Sequence, residues 1–350
     1  MVAKQDLSFP RLLKPLYIFI MAAVFLLNGC DLFKEKPVEL SGSALGTTYS
    51  LKLFGIPDHV EVRELHDQIK IVMNAVEASM SVHNSNSEVS QFNRHTSKDW
   101  FRVSGKMFQV IKEAQSISND SEGAFDVTIG NLIELWGFGR RMPPRSIPRK
   151  EDIDRIKYTT GYKHLQLSQS SNSIKKAIPG LTLNLSAIAK GYAVDSVSEL
   201  LNEIGIERYL VEIGGELRAK GVKEPGKPWL VAIERPETDK RSIYKIIRLS
   251  DMSMATSGDY RNYYEIEGER FSHTINPFTG RPVENNIASV SVMHSSCMKA
   301  DALATTLMSM GYSVGSQFAE DMGLAVLWIL RTENGIIEKT SSRFDSNLLQ

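Results

Sequence analysis

The chain has 350 residues, of which 42% are hydrophobic and 23% are charged. This composition is ordinary for a globular protein, and the length suffices for one large domain or two intimate ones. The 41 basic side chains balance 41 acidic ones, and no basic run is visible. The sequence therefore lacks the electrostatic footprint of a nucleic-acid-binding protein.

The N-terminus has the pattern of a bacterial secretion signal. Lys4, Arg11 and Lys14 precede an apolar run over 16–27, which matches a signal-peptide core and is short for a membrane span. The run ends at Cys30, as in the lipobox of lipoproteins; a coincidental cysteine is the alternative. We therefore predict a lipoprotein signal peptide over 1–29 and an acylated Cys30, for example by palmitate.

The residues after Cys30 complete this prediction. Residues 30–40 are expected to form a lipidated N-terminus and a short tether. Asp31 resembles the residue that retains such lipoproteins at the inner membrane, so we expect an inner-membrane lipoprotein facing the periplasm. With Cys30 acylated, Cys297 has no disulfide partner, and we expect it to be a small buried thiol.

Secondary structure is predicted from alternating and helical periods of apolar residues. The predicted elements are strand 45–53, helix 60–80, a short helix from Ser87, helix 104–120, helix 150–157, strands 164–168 and 173–177, a helix running to 204, strands 208–213, 217–221, 229–234 and 243–249, hairpin strands 263–266 and 270–275, strand 287–293, a helix from Ser295 or Ser296 to 311, helix 313–321 and strand 325–330. The strands between 217 and 249 are expected to form one meander, and 255–261 a polar loop.

Two segments have compositions typical of ligand contact. Residues 123–139 contain four glycines and three aromatics, which indicates a backbone approaching a flat ligand or a glycine-kinked loop that plugs the core with Trp136. We favour the structural role for Trp136 itself. In 181–195 a strand turns into a helix through small residues, with Lys190 placed early. Helix N-termini of this kind bind phosphates, although Lys190 alone could equally be a solvated surface charge.

Asp301 and Thr305 form a candidate metal site. They are four residues apart, so a helix places their oxygen atoms on one face. A carboxylate plus a hydroxyl, with room for phosphate oxygens and water, suits Mg²⁺. The alternative is that Asp301 only favours the first turn of its helix. No HExxH or CxxC motif appears, which argues against catalytic zinc.

Six separated phrases resemble the FAD:protein FMN transferase (ApbE) family, over about residues 44–330. They are Ala124–Asp126, Ala187–Tyr192, Ile213–Glu216, Thr256–Arg261, Ser272–Pro277 and Ala300–Thr305. The resemblance implies an α+β fold with mixed or antiparallel sheets, packed helices and a duplicated T-fold-like architecture. The flavin transferase domain would occupy 41–340, as one unit or as two intimate lobes.

The resemblance also implies an activity and a set of site residues. Such an enzyme uses Mg²⁺ and FAD, moves FMN onto a threonine or serine of a membrane redox protein, and releases AMP. By motif, the metal ligands would be Asp301, Thr305 and the carbonyl of Ala187. FAD contacts would come from Leu45, His83, Ala124, Phe125, Asp126, Asn184, Lys190 and Ile275. The chain departs from the family pattern at Asn184, where aspartate is usual, at His83, where an aromatic is common, and at Asn131, where proline often stands.

The residue chemistry agrees with this reaction. FAD's pyrophosphate repels an oxygen nucleophile, so a bound cation helps, and Lys190 would stabilise the departing AMP oxygens. A threonine hydroxyl must lose its proton in the transition state, and His273, in a polar loop-bounded motif, is our candidate base or orienting group. Asp301 and His273 are thus the predicted catalytic residues. Two alternatives stay open: an FAD pyrophosphatase, and a non-catalytic FAD-binding lipoprotein.

Overall fold

The computed structural model describes residues 36–223, 226–237, 242–260 and 262–344. The predicted signal peptide, Cys30 and Arg261 lie outside these residues. The helices are α1 Val62–Met80, α2 Glu88–Arg94, α3 Gly105–Asp120, α4 Gly130–Leu135, α5 Lys150–Lys157, α6 Ser186–Ile204 and α7 Cys297–Asp321. The strands are β1 Val38–Ala44, β2 Thr47–Phe54, β3 Phe101–Arg102, β4 Leu165–Ser168, β5 Ser173–Lys176, β6 Arg208–Ile213, β7 Glu216–Lys220, β8 Trp229–Glu234, β9 Ile243–Leu249, β10 Ser253–Gly258, β11 Tyr263–Ile266, β12 Glu269–Ser272, β13 Ile275–Asn276, β14 Arg281–Pro282, β15 Ile287–His294, β16 Ala325–Thr332 and β17 Gly335–Thr340.

An eight-stranded sheet forms the centre of the fold, in the order β1-β2-β6-β7-β10-β15-β16-β17. The ladders from β2 to β17 are antiparallel. Alternation fixes which face is buried: Val211 of β6 lies opposite Leu51 of β2, and both are fully buried. Their neighbours Leu210 and Lys52 point to the other face. The α+β fold with antiparallel sheets is as predicted.

Helices α6 and α7 pack together on the sheet, with α7 against β10 and β15. Asp195 of α6 fastens the start of α7, because its carboxylate accepts hydrogen bonds from the amides of Cys297 at 2.9 Å and Met298 at 3.0 Å. Ser296 Oγ adds a third at 2.8 Å. Gly311, with φ of 75°, interrupts α7, which confirms the predicted division into a long and a short helix.

The opposite face of the sheet is covered by a two-stranded ribbon of β8 and β9. Trp229, Val231 and Ile233 are buried in one cluster with sheet residues such as Leu217 and Met254. The predicted meander over 217–249 is therefore wrong. β8 and β9 pair with each other and lie on the sheet, because their alternate residues are apolar enough to form a second layer.

A smaller core surrounds Trp136, which is fully buried. Its indole Nε1 donates a hydrogen bond to the carbonyl of Gly280 at 2.8 Å, and its ring lies 5.4 Å from that of Phe271 in β12. The structural role predicted for Trp136 is confirmed. The segment is not a simple loop, however, since α4 forms within it.

β1 begins at Val38 and joins the sheet beside β2, so the first strand starts near the end of the predicted tether. One further local prediction is wrong. Residues 255–261 were expected to be a polar loop, but β10 includes Ser253–Gly258 and is central in the sheet. The hairpin of β11 and β12 turns at Glu267 and Gly268, both with positive φ. Within the described part of the chain, no helix combines the length and hydrophobicity needed to cross a membrane.

Candidate active site

One cavity of about 1250 Å³ gathers the predicted site residues. It is bounded by the β1–β2 and β6–β7 turns, the segment after α3, the N-terminus of α6 and the first turns of α7. The predicted residues that line it are Leu45, His83, Ala124, Phe125, Asp126, Asn184, Ala187, Lys190, His273, Ile275, Asp301 and Thr305. The structure thus brings together every predicted site residue that it describes, while their individual roles stay predictions.

Asp301 lies where α6 and α7 touch. Its side chain is buried, and Oδ2 accepts a hydrogen bond from the Gly191 amide at 2.9 Å. In a regular helix that amide would donate to the carbonyl of Ala187, four residues earlier. An amide carries one hydrogen, so the bond to Asp301 competes with the helical bond. The Ala187 carbonyl therefore keeps acceptor capacity at the cavity wall.

Gly191 is required for this contact. A Cβ at this position would lie 2.3 Å from the carbonyl oxygen of Cys297 and 2.8 Å from Cβ of Asp301. Any side chain would push the two helices apart. The glycine in the Ala189-Lys190-Gly191 phrase thus serves helix packing, which sets the distance between Ala187 and Asp301.

Thr305 lies one turn after Asp301, and its Oγ1 is 3.3 Å from Oγ of Ser257 in β10. Together the site offers a carboxylate, a hydroxyl and a carbonyl, all hard oxygen donors that suit Mg²⁺. Among the described residues, no group of three or more His, Cys, Asp or Glu side chains is arranged to hold a metal. The donor set therefore fits a magnesium ion that takes its other ligands from water and substrate phosphates, and it does not fit zinc.

Lys190 is paired with a buried carboxylate. Its Nζ lies 2.5 Å from Oε1 of Glu216, whose side chain is 4% exposed. Burial opposes the charge, yet the carboxylates of Glu216 and Asp301 raise the pKa of Lys190 above its ordinary value. Burial in turn raises the pKa of Glu216. Lys190 is thus a fixed cation at the cavity wall, and its interpretation as a solvated surface charge is wrong.

Glu216 is a site residue that the sequence analysis did not single out. Its Oε2 is buried and finds no hydrogen-bond partner among the residues that the structure describes. The preceding Gly214 has φ of 65°, and a Cβ there would lie 3.2 Å from Cδ of Lys190. The tight glycine turn therefore brings Glu216 to Lys190. The Gly-Gly-Glu phrase indicated the turn, but the burial of the carboxylate depends on a lysine from another element.

The N-terminus of α6 opens into the cavity at Ser186 and Ala187. Asn184 orients this end of the helix. Its side-chain Oδ1 accepts a hydrogen bond from the backbone amide of Ser186 at 2.9 Å, and its backbone N–H donates to the carbonyl of Val127 at 2.8 Å. The positive end of a helix dipole attracts anions. With Lys190 one turn further along, this end of α6 has the charge distribution that suits a phosphate.

The carboxylate of Asp126 stabilises the loop after α3 through hydrogen bonds. Its Oδ1 accepts from the amide of Thr128 at 2.7 Å and from its hydroxyl at 2.6 Å, and its Oδ2 accepts from the Tyr162 amide at 2.9 Å. Burial raises the pKa of Asp126, against the effect of these hydrogen bonds. Its carboxylate therefore holds the loop that presents Ala124 and Phe125, both buried, to the cavity.

Aromatic rings form one wall. Phe138 and Tyr264 stack with centroids 4.8 Å apart, and His273 lies edge-on to Phe138 at 6.4 Å. The hydroxyl of Tyr264 donates to the carbonyl of Trp136 at 2.7 Å, and burial raises the pKa of Tyr264 to about 12. Such a wall suits a flat aromatic ligand. Tyr264 could not be found from the sequence, because its ring is placed by packing against a distant segment.

His273 has the geometry of a neutral base. Its Nδ1 lies 3.1 Å from the carbonyl oxygen of Asn262, so the proton is on Nδ1 and Nε2 is the acceptor. Burial lowers the pKa of His273, with Lys190 adding to the effect. Near neutral pH the ring is therefore uncharged and able to take a proton.

Leu45 and His83 complete the mouth of the cavity. Leu45 has φ of 54° and Gly46 has φ of 72°, which makes the β1–β2 turn one of the positive-φ hairpin turns. Leu45 is strained there, since branched side chains disfavour this region. His83 is exposed.

Comparison with known proteins decides the family. Residues 45–328 match the family model of the ApbE family. The chain belongs to the ApbE family. A relative from Vibrio cholerae, named FAD:protein FMN transferase, is 44% identical over 94% of this chain and 97% of its own length. Another with that name, from Escherichia coli, is 34% identical over 99% of both chains.

Solved ApbE structures agree with the fold. The flavin transferase ApbE from Vibrio cholerae superposes with a TM-score of 0.82, covering 89% of this chain and 98% of that one at 44% identity. The flavinyl transferase ApbE of Pseudomonas stutzeri, in its apo form, gives a TM-score of 0.82 at 35% identity, covering 91% and 98%. The family match over 45–328 includes every residue that lines the cavity.

Proposed function

We propose that this ApbE-family chain is a Mg²⁺-dependent flavin transferase that moves FMN from FAD onto a threonine or serine hydroxyl of a partner protein and releases AMP. The observation that carries the proposal is the oxygen set of Ala187, Asp301 and Thr305 beside the cation Lys190 and the open end of α6. Relatives up to 44% identical bear the name FAD:protein FMN transferase.

The reaction needs one bond formed and one broken. The acceptor oxygen attacks the phosphorus of the FMN half, a phosphoester bond forms, the pyrophosphate P–O bond breaks, and AMP leaves with that oxygen. A magnesium ion held by Asp301, Thr305 and the Ala187 carbonyl would neutralise diphosphate charge. Lys190 adds a second positive charge, and it is held in place by Glu216. Asp301 and Glu216 are both buried, so their charges are screened less than charges on the surface.

The proton of the hydroxyl must go to a base as the bond forms. His273 suits this role because Nδ1–H donates to Asn262 and leaves Nε2 with a free lone pair in the cavity. The ring of the flavin would lie against the aromatic wall of Phe138 and Tyr264. No nucleophile on the enzyme itself is needed, since the covalent acceptor belongs to the partner.

We also propose that the enzyme is an inner-membrane lipoprotein facing the periplasm, anchored through acylated Cys30. Its acceptors would be proteins of membrane redox complexes. The support is the order of basic residues, apolar run and cysteine within residues 1–30. Mass spectrometry of the mature N-terminus tests the anchor: a diacylglyceryl cysteine is expected, and an unmodified residue 30 would contradict it.

The experiment for the transferase activity is co-expression with candidate membrane redox proteins, followed by mass spectrometry for an FMN adduct on threonine or serine. Asp301→Asn keeps the shape and an acceptor for Gly191 but removes the charge. We expect it to lower adduct formation by at least about a hundredfold. Full transfer by this variant would sink the proposal.

Omitting the partner protein distinguishes the pyrophosphatase alternative from transfer. The purified enzyme is incubated with FAD and Mg²⁺ alone, and AMP is measured. Slow release without acceptor and fast release with it supports transfer. Equal release in both cases would instead make water the acceptor. A third result, retention of FAD with no AMP in either case, would indicate a binding protein without turnover.

A further inference from the structure

Strand β8 has an edge that no described strand covers. β8 and β9 form a sheet of their own with two strands, and the partners of β8 in its ladder all belong to β9. An uncovered strand edge presents backbone N–H and C=O groups that can pair with another chain, and proteins generally protect such edges. Here the edge is long enough to hold several residues of a partner.

The edge faces the cavity of the active site. Leu230, Val231, Ala232, Ile233 and Glu234 are consecutive, and all five line it. Side chains alternate between the two faces of a strand, so a cavity touching one face would be lined by every second residue. Lining by each residue in turn shows that the cavity runs along the strand edge.

The position of the ribbon shows what lies beyond that edge. Lys245 of β9 pairs with Glu338 of β17 at 2.5 Å, so β9 lies toward the β17 side of the large sheet. The free side of β8 therefore lies toward β6 and β2. There, on the face away from the helices, Ser50 pairs across strands with Glu212, and Lys52 with Leu210.

These four side chains also line the cavity. Together they form the floor of a channel whose wall is the edge of β8. We call it the β8 groove: residues 230–234 as the wall, with Ser50, Lys52, Leu210 and Glu212 as the floor. At its end β6 runs into the Gly214-Gly215-Glu216 turn, which holds Lys190. The groove is thus continuous with the proposed site of transfer.

We propose that the β8 groove binds the acceptor protein, in the form of an extended segment that adds to β8 as a third strand of the ribbon. This inference rests on the proposed function, because only a transferase has to bring a polypeptide hydroxyl to the phosphate. Backbone pairing supplies affinity with little dependence on sequence, and side-chain pockets supply the selectivity. The segment lies over β6 and β2, and its hydroxyl reaches the corner of Lys190 and Asp301.

Two features favour a polypeptide as occupant. Leu230 is 50% exposed and Ala232 is exposed on the same face of β8, so a third strand would have apolar neighbours to cover. The cavity of about 1250 Å³ also exceeds the range of roughly 300–1,000 Å³ that small-molecule pockets occupy. A cavity of this size fits a site that takes a polypeptide segment as well as a dinucleotide.

The first test probes the backbone of the acceptor. A library of threonine-centred dodecapeptides is incubated with enzyme, FAD and Mg²⁺, and the best acceptor is resynthesised with a single N-methyl group at each position in turn. Strand pairing predicts alternation: N-methylation at every second residue should raise KM about tenfold or more, and the residues between should tolerate it. Uniform tolerance, or losses confined to side-chain changes, would overturn the proposal.

The second test changes the groove. Leu230→Arg should raise KM for the same peptide about tenfold, because it replaces the apolar side chain that the third strand would cover with a solvated charge. Ile243→Arg is the matched control: Ile243 is an exposed residue of β9 in the same ribbon, 62% exposed and outside the cavity. It should transfer FMN normally. Equal KM for the two variants would overturn the proposal.

The outcomes separate this inference from the proposed function. If no peptide or protein acquires FMN from the unaltered enzyme, the transferase function itself fails. If transfer proceeds but amide hydrogen exchange of residues 230–233 is unchanged by the acceptor peptide, the groove is not its site and the inference alone fails. Protection of those amides by FAD without peptide would assign the groove to the dinucleotide, and protection that grows with enzyme concentration would assign it to a second copy of the chain.

Discussion

The backbone amide of Gly191 in α6 donates a hydrogen bond to Oδ2 of Asp301 in α7 across 2.9 Å. This one contact joins the helix that presents a carbonyl and Lys190 to the helix that presents a carboxylate and Thr305. It orients Asp301, and it competes with the helical hydrogen bond that the Gly191 amide would otherwise donate to the Ala187 carbonyl. In the metal site that we propose, both oxygens would thus be oriented before a ligand binds.

Gly191→Ala tests the close approach of the helices. The added Cβ would lie 2.3 Å from the Cys297 carbonyl oxygen, so we expect a loss of about 2 kcal/mol or more in the free energy of unfolding, with loss of transfer. Gly105→Ala is the control, because Gly105 is also helical and a Cβ there meets its nearest atom at 3.9 Å. Urea unfolding should show the control unchanged or stabilised by up to about 1 kcal/mol. Equal stability of the two variants would refute the packing argument.

Thr305→Val tests the hydroxyl ligand. The substitution keeps the shape and removes Oγ1, so the Mg²⁺ concentration for half-maximal transfer should rise at least about tenfold. Thr306→Val is the matched control: Thr306 is fully buried, and its hydroxyl donates a hydrogen bond to the carbonyl of Ala302 in the same helix. Its Mg²⁺ dependence should stay normal. A titration of transfer rate against Mg²⁺ distinguishes the two, and parallel curves would remove Thr305 from the metal site.

The fall of transfer activity at acid pH should reflect the protonation of His273. Burial lowers its pKa below the ordinary 6.5, so the ring is neutral at pH 7 and protonates only in more acidic solution. We expect kcat/KM to be level near neutrality and to fall as the pH drops through a value below 6.5. In His273→Ala the rate should be lower and this limb should vanish. A limb that persists unchanged in the variant belongs to another group.

The lowered pKa of His273 also predicts how the free energy of unfolding depends on pH. The unfolded chain takes up its proton at the ordinary pKa of 6.5, before the folded chain does. The contribution of His273 is thus fully present above 6.5 and is lost as the pH falls through the folded pKa. Thermal unfolding of wild type and His273→Ala between pH 5 and 8 measures it.

Asp195→Ala should be among the most destabilising single changes in the site region. Asp195 accepts hydrogen bonds from Ser296, Cys297 and Met298 and pairs with Arg218 at 2.8 Å. Its removal leaves the first amides of α7 without acceptors, and we expect a cost of about 3 kcal/mol. Asp154→Ala, which breaks an exposed pair with Lys150, should leave the urea midpoint nearly unchanged, because solvent screens that pair. Similar midpoints for the two variants in urea would contradict this.

Periodic elements could be predicted from the sequence, whereas their partners could not. The helical spacing of Leu65, Ile69 and Val76 marks α1, since these residues are its buried face. The alternation in 229–234 correctly predicts a strand, but the second layer it forms with β9 depends on contacts with distant apolar residues. Local pattern carries no information on such pairing.

The composition of β10 explains why its C-terminal end was predicted to be a loop and not a strand. Thr256, Ser257 and Gly258 look like a loop because they are small and hydrophilic. In the structure they line the cavity at the end of a central strand, where the strand faces open space and not core side chains. Functional positions depart from the pattern of their element for this reason. The candidate site residues that line the cavity were predicted because family phrases mark them, whereas the burial of Glu216 could not be predicted because it depends on Lys190.

The Gly191–Asp301 bond spans 110 positions of the chain. Closing a loop of this length costs conformational entropy before the contact can form. A chain cut between α6 and α7 keeps Lys190 but lacks Asp301 and Thr305. Such a fragment would have no proposed cation site, and we expect it to leave FAD intact.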